Sequence, residues 1–213
     1  MTYCINDIFY SLQGEGRNTG RAAVFIRFAG CNLRCPFCDT EFDSFREMSD
    51  EDIVDAIAAY PSRFVVLTGG EPTLQVDEAF VDLLHQHGYE VAMESNGTRP
   101  APRNLDWLTV SPKRHGGEWY GKPYVSKEVW ERQPDELKLV FDMESTPEGF
   151  LWAHVEFGLS NPVYRIPDLC YLQPCDTGNA QRNAEIVKCC VEYIKEDPRW
   201  RLSLQTHKLI GIL

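Results

Sequence analysis

An α/β fold with a parallel sheet, opened out as a partial (β/α)6-type barrel in a single domain, is what the sequence predicts. Short β-rich apolar runs alternate with helical patterns along the chain, and that alternation argues for parallel strands joined by right-handed crossovers. Six such runs are too few to close a barrel of eight strands, so the sheet stays open; a flat doubly wound sheet is the alternative. The 213 residues show no internal repeat, low-complexity tract or linker, so residues 1–213 are read as one domain.

The strands are expected at Ala22–Phe28, Phe64–Leu67, Glu90–Met93, Trp107–Val110, Leu137–Phe141 and Leu169–Leu172. Ser49 and Asp52 have capping-box spacing ahead of Ile53, Val54 and Ile57. A second helix is expected over Asp77–His87, stopping at Gly88. A third has Thr146 as N-cap and Pro147 at its first position. A fourth, over Ala180–Lys195, presents Val187, Cys190, Val191 and Ile194 on one face. Arg114–Val125 and Ser160–Pro167 read as connections. In such a fold ligands gather beyond the carboxyl ends of the strands.

Composition narrows the function. Hydrophobic residues make up 43% of the chain, which argues against disorder. The net charge of −11 carries no basic stripe, so no nucleic acid is expected as a partner. No run has the apolar length of a membrane span, and MTYCINDIFY lacks the features of a signal peptide. A soluble cytoplasmic protein is therefore expected. Of eight cysteines, Cys4, Cys170, Cys175, Cys189 and Cys190 are read as free thiols in or near the core.

The other three stand in GCNLRCPFCDTEF as Cys31, Cys35 and Cys38, a C-x3-C-x2-C run directly after a strand. Three thiolates from one loop suit three corners of an iron–sulfur cube. Zinc is the rival, but no neighbouring side chain offers a fourth ligand at usual spacing. The run, with Phe37 before the last cysteine, resembles the radical S-adenosylmethionine (SAM) superfamily. The resemblance implies a 4Fe-4S cluster whose fourth iron is chelated by SAM, and a 5′-deoxyadenosyl radical that abstracts hydrogen from substrate. Thr68-Gly69-Gly70-Glu71-Pro72, a turn if taken alone, then looks like the superfamily's GGE motif. Its glycines permit close backbone approach, and Glu71 is placed to receive the methionine ammonium. Further strand ends carry Glu94-Ser95-Asn96-Gly97-Thr98, Ser111-Pro112-Lys113 and Gln173-Pro174. The resemblance puts Glu94 and Ser111 with Lys113 at the ribose and carboxylate of SAM, and Gln173 near its adenine.

Substrate residues come from elsewhere. Ser11-Leu12-Gln13-Gly14-Glu15-Gly16 is a glycine-rich loop, or a plain turn, in which Gln13 and Glu15 suit the hydrogen-bonding edge of a heterocycle. In FIRFAGC, Val24, Ile26 and Phe28 face one way and Phe25, Arg27 and Ala29 the other. Arg27 either grips a carboxylate or snorkels outward from an edge strand.

Taken in order, SLQGEG, FIRFAGCNLRCPFCDT, LTGGEP, ESNGT, SPK, LQP and SLQTHK resemble the 7-carboxy-7-deazaguanine synthase family of queuosine and deazapurine biosynthesis. That family implies a radical lyase that contracts 6-carboxy-5,6,7,8-tetrahydropterin to 7-carboxy-7-deazaguanine with loss of ammonia, regenerating SAM. It implies Gln13, Gly14, Glu15, Arg27 and His207 around the substrate and Mg2+ on Thr40. A homodimer and a low-potential electron donor such as flavodoxin complete the expectation. The runner-up is a radical activase that installs a glycyl radical on a partner protein.

Overall fold

The computed structural model describes residues 1–115, 118–120, 125–145, 147 and 166–212. The expected third helix and most of Ser160–Pro167 lie outside the described residues. The described strands and α-helices are β1 (Thr2–Leu12), β2 (Ala22–Phe28), β3 (Arg46–Ser49), α1 (Asp50–Ala58), β4 (Phe64–Gly69), α2 (Glu78–Gln86), β5 (Glu90–Ser95), β6 (Trp107–Val110), β7 (Lys113–His115), β8 (Glu118–Tyr120), α3 (Lys127–Arg132), β9 (Glu136–Phe141), β10 (Leu169–Pro174), α4 (Ala180–Glu196), β11 (Trp200–Leu202) and α5 (Thr206–Ile210).

All six expected strands form, and they lie side by side in chain order: β2, β4, β5, β6, β9, β10. Every pairing among them is parallel. Among the described residues the sheet has nine strands, adding β11 in parallel at one edge and β1 with β3 antiparallel at the other.

The helices begin where local chemistry starts them. Ser49 Oγ accepts from Asp52 N at 3.1 Å, and Asp52 returns the bond to Ser49 N at 3.0 Å, closing the capping box of α1. Asp77 caps Phe80 N ahead of α2, and Asn179 caps Arg182 N ahead of α4. The inward stripe of α4 is one residue off the expected one. Ile186 and Cys190 are buried with Tyr193 and Ile194 beside them, because Val187 and Val191 sit at the margin of that face.

Burial separates a barrel from a doubly wound sheet. The main core takes one side of the strands (Val24, Ile26, Val65, Leu67, Met93, Leu108, Leu137) together with the buried residues of α1, α2, α3 and α4. The opposite side holds a small cluster of Ala23, Phe25, Phe64, Val66 and Ala92. Among the described residues no helix packs on that second side. Above the cluster, further along the same strands, that side turns polar: Arg27, Thr68, Glu94, Lys138 and Gln173 line one cavity with Phe9 of β1. The sheet therefore curls, with helices outside and chemistry inside, as in a partial barrel.

Arg114–Val125 is not wholly a loop. Lys113–His115 and Glu118–Tyr120 pair as a two-stranded hairpin, which three-residue strands with no apolar alternation do not announce.

Candidate active site

A cavity of about 460 Å3 opens at the carboxyl ends of β2, β4, β5, β6, β9 and β10. Cys31, Cys35 and Cys38 all face it, and none is in a disulfide. Burial pushes the Cys31 thiol up and the Cys35 thiol up to about 11, with Lys113 acting against it in both. Among the described residues no three Cys, His, Asp or Glu side chains converge on a point that would hold one metal ion. A mononuclear zinc site needs that convergence. A cubane does not, because each thiolate takes its own iron, so the donor set fits the cluster better than zinc.

The GGE loop is locked to the cysteine loop. Gly70 N donates to Phe28 O at 3.0 Å, and Glu71 N to Gly30 O at 2.9 Å. A Cβ on Gly70 would lie 2.0 Å from Gly30 O, and one on Gly69, at φ +130°, 2.1 Å from Phe28 O. The close approach these glycines allow is thus to the chain's own backbone just before Cys31. Gly69 and Gly70 line the cavity, whereas Glu71 is not among its lining residues. Its fully buried carboxylate accepts from Thr73 N and Oγ1, Ser95 Oγ and Asn96 N. Its donors are already of the chain's own making, so in this structure it fastens the GGE loop to the ESNGT loop instead of facing a ligand.

Glu94, Ser111, Lys113 and Gln173 all reach the cavity wall. Lys113 Nζ donates to Ser111 Oγ at 3.0 Å. Gln173 Nε2 donates to Glu15 Oε1 at 3.2 Å, which ties it to the SLQGEG loop.

Beside them, Gln13, Gly14, Glu15, Arg27 and His207 come together from three distant segments. Thr206 N and Oγ1 both donate to Gly14 O at 3.0 Å. The His207 ring lies so close over Gly14 that a Cβ there would fall 2.0 Å from Nδ1. Gln13 Nε2 donates to Glu94 Oε1 at 2.8 Å. Arg27 lies 5.0 Å from the Phe9 ring centroid, and among the described residues its guanidinium has no carboxylate partner. Asp7, opposite it on β1, lines the same cavity without an ion pair to it; a guanidinium so placed can take up an anion. Thr40 also lines the cavity, with Oγ1 3.5 Å from Asp39 Oδ1.

Sequence reasoning missed Lys138. It is buried on β9 and donates to both Glu15 and Glu94, the latter at 2.8 Å. Burial works against its charge, but the two carboxylates more than offset that and raise its pKa. Burial likewise works against the Glu15 carboxylate, yet Lys138, Gln205 and His207 hold its pKa below the ordinary value. The signal was available: a Lys in LKLVF is as anomalous in a buried strand as Arg27 in FIRF. Asp39 and Lys208 were also missed. Lys208 Nζ bridges Asp39 and Asp176, clasping the C-terminal segment to the cysteine loop.

A cysteine loop, a GGE loop and a polar wall around one cavity at the strand ends define a radical SAM enzyme, and the model of the Radical SAM superfamily matches residues 25–111. Over 210 residues the chain is 42% identical to a 7-carboxy-7-deazaguanine synthase of Bacteroides thetaiotaomicron, covering 98% of this chain and 97% of the relative. Over 238 residues it is 41% identical to that of Bordetella pertussis, covering the whole of both. The crystal structure of QueE from Escherichia coli superposes with a TM-score of 0.72 at 29% identity, over 96% of this chain and 94% of that one. The chain belongs to the 7-carboxy-7-deazaguanine synthase family.

Proposed function

We propose that this chain forms 7-carboxy-7-deazaguanine, the product in the names of its relatives, and that it does so from 6-carboxy-5,6,7,8-tetrahydropterin with loss of ammonia. The observation that carries the reading is Arg27, a cation without a carboxylate partner among the described residues, in the cavity that the three cysteines also face. It suits a substrate that brings its own carboxylate.

Cys31, Cys35 and Cys38 would hold the 4Fe-4S cluster, which with SAM would supply the radical chemistry at the pterin. Everything else asked of the chain is placement. The Gly69-Gly70 backbone, Glu94, Ser111, Lys113 and Gln173 hold SAM, with Glu71 fixing the loop that carries the glycines. Arg27 holds the substrate carboxylate. Gln13 and Glu15 present an amide and a carboxylate to the pterin edge, while Gly14 seats His207 at its side. Thr40 offers an oxygen to Mg2+, with Asp39 beside it as an anionic neighbour.

Cys38 is exposed, which suits electron entry from a flavodoxin-like donor. Leu209 and Ile210 expose 71% and 61% of their surface on α5, which suits burial in a homodimer. Among the described residues no helix is long and apolar enough to cross a membrane, which is compatible with a cytoplasmic site in queuosine or deazapurine biosynthesis. Membership of this family sets aside the glycyl-radical activase.

The test is anaerobic reconstitution with iron and sulfide, reduction, and addition of SAM with the carboxytetrahydropterin. Deazaguanine product with little net consumption of SAM is the expected result. Zinc uptake without iron, or release of 5′-deoxyadenosine with no product, overturns the proposal.

A further inference from the structure

Two strands and a loop meet at one ammonium. Lys138 Nζ, on β9, donates to Glu15 Oε2 in the loop after β1 and to Glu94 Oε2 on β5. The remaining oxygens are also engaged: Glu15 Oε1 accepts from Gln173 and Gln205, and Glu94 Oε1 from Gln13. The Lys138 side chain is 5% exposed, against 13% for Glu15 and 23% for Glu94. The cation is the most buried of the three, and both anions keep some surface toward the cavity. On the reading above, Glu15 belongs to the substrate site and Glu94 to the SAM site.

We propose that Lys138 is a positioning residue for the reaction, holding Glu15 and Glu94 in place at once and so joining the pterin site to the SAM site through one charge. The inference rests on the functional reading above. Lys138 acts through the two carboxylates. A pair of carboxylates reaching for one point repel each other, and neither retains its orientation unless a cation lies between them. Truncating one partner of a buried charge network leaves the others uncompensated, a cost worth tenfold or more in affinity. The groups that face the network are Glu15, Glu94 and Glu136, with His207 and Arg17 acting through Glu15 and Glu136. Once Lys138 is removed, one carboxylate must take up a proton before the rest settle, so ligand affinity acquires a dependence on pH that the intact network suppresses.

The experiment is anaerobic calorimetry of SAM and of the carboxytetrahydropterin on the cluster-loaded protein. Lys138→Met is expected to weaken both ligands by at least about tenfold at about pH 8, with most of the SAM affinity recovered at about pH 6. The double variant Lys138→Met/Glu15→Gln is expected to bind SAM within about threefold of wild type at about pH 8, because Glu94 then faces no unpaired anion. A purely architectural lysine gives neither recovery nor rescue: affinity lost equally at both pH values, and equally in the double variant, overturns the proposal. So does unchanged affinity in Lys138→Met. If that variant does not fold, the double variant decides alone, binding in support and loss of binding against. Wild-type protein that binds SAM but not the pterin strikes the functional reading instead and leaves the SAM rescue to be scored by itself.

Discussion

Gly70→Ala is the sharpest perturbation of the cysteine loop that avoids the cysteines. A Cβ at Gly70 would stand 2.0 Å from Gly30 O, 2.5 Å from Gly30 C and 3.1 Å from Cys31 Cβ. The first two contacts are with backbone, so no side-chain rotation relieves them. The loops must part, and the bonds from Gly70 N to Phe28 O and from Glu71 N to Gly30 O go with them. Two such bonds contribute about 1 kcal/mol each, and overpacking adds about 1–3 kcal/mol. A loss of roughly 3–5 kcal/mol is within reach of the whole stability of a domain, about 5–15 kcal/mol. The relief is cheapest if residues 30–38 move, which misplaces Cys31. The assay is iron and sulfide content per chain after anaerobic reconstitution, alongside the denaturant midpoint. Both are expected to fall. Gly178→Ala is the control: φ is +71° but nothing lies within 4 Å of the added carbon, so it loses about 1–2 kcal/mol to backbone strain and keeps its iron. Full iron content in Gly70→Ala would refute the claim that the glycine pair sets the cluster loop.

The other predictions concern charge. Arg27→Met is expected to raise the KM for the carboxytetrahydropterin by about two orders of magnitude, from a lost charge pair of about 2–5 kcal/mol, while SAM affinity stays within about twofold; equal losses for both ligands would place Arg27 elsewhere. Burial lifts the Glu136 carboxyl from the ordinary 4.5 to about 7. The folded state thus binds that proton more tightly than the unfolded one, so its contribution is fully present below 4.5 and is lost as pH rises through about 7. Glu136→Gln is therefore expected to be more stable than wild type above neutrality by roughly 2–3 kcal/mol, the difference vanishing near pH 4 in chemical denaturation. Asp176 is held down to about 2 by Gly178 N, then by Lys208 and Asn183; its contribution is present above the ordinary 3.8 and is lost as pH falls through about 2. Since Asp176 is largely solvated, Lys208→Met is expected to remove less than about 1 kcal/mol of that acid-sensitive stability, and a larger acid-range difference would locate the clasp's energy in Asp39.

The fold was legible wherever both sides of a strand are covered. FVVL, WLTV and LKLVF are near-continuous apolar runs because the helices take one side and the barrel interior the other. It was illegible where the strand is broken or thin. β1 carries Tyr3, Ile5 and Ile8 inward, but its register shifts between Ile5 and Asp7, so the period of two slips at the point where a reader needs it. β3 (REMS) and β11 (WRL) are too short and too polar to show a pattern, and they pair only because longer neighbours offer an edge.

The site was legible by a different logic. Motifs name residues that the chemistry requires, and the cysteines, Arg27 and His207 all proved to face one cavity. What motifs do not name is the chain's own complement to them. Glu71 illustrates the difference: its place in GGEP points to a ligand, yet its four donors come from Thr73, Ser95 and Asn96. A buried carboxylate takes whatever donors the fold brings within reach, and no spacing rule tells which loops those will be. Lys138 is the converse. Its partners lie 123 and 44 residues away, so no local pattern contains it, but a lysine in an apolar strand demands an anion just as an unpaired arginine does. Read for cations instead of motif, the six parallel strands give two, Arg27 on β2 and Lys138 on β9. The structure answers them oppositely. Buried Lys138 already holds its carboxylates, while half-buried Arg27 makes no ion pair among the described residues, and that difference is why the proposed substrate carboxylate is assigned to Arg27.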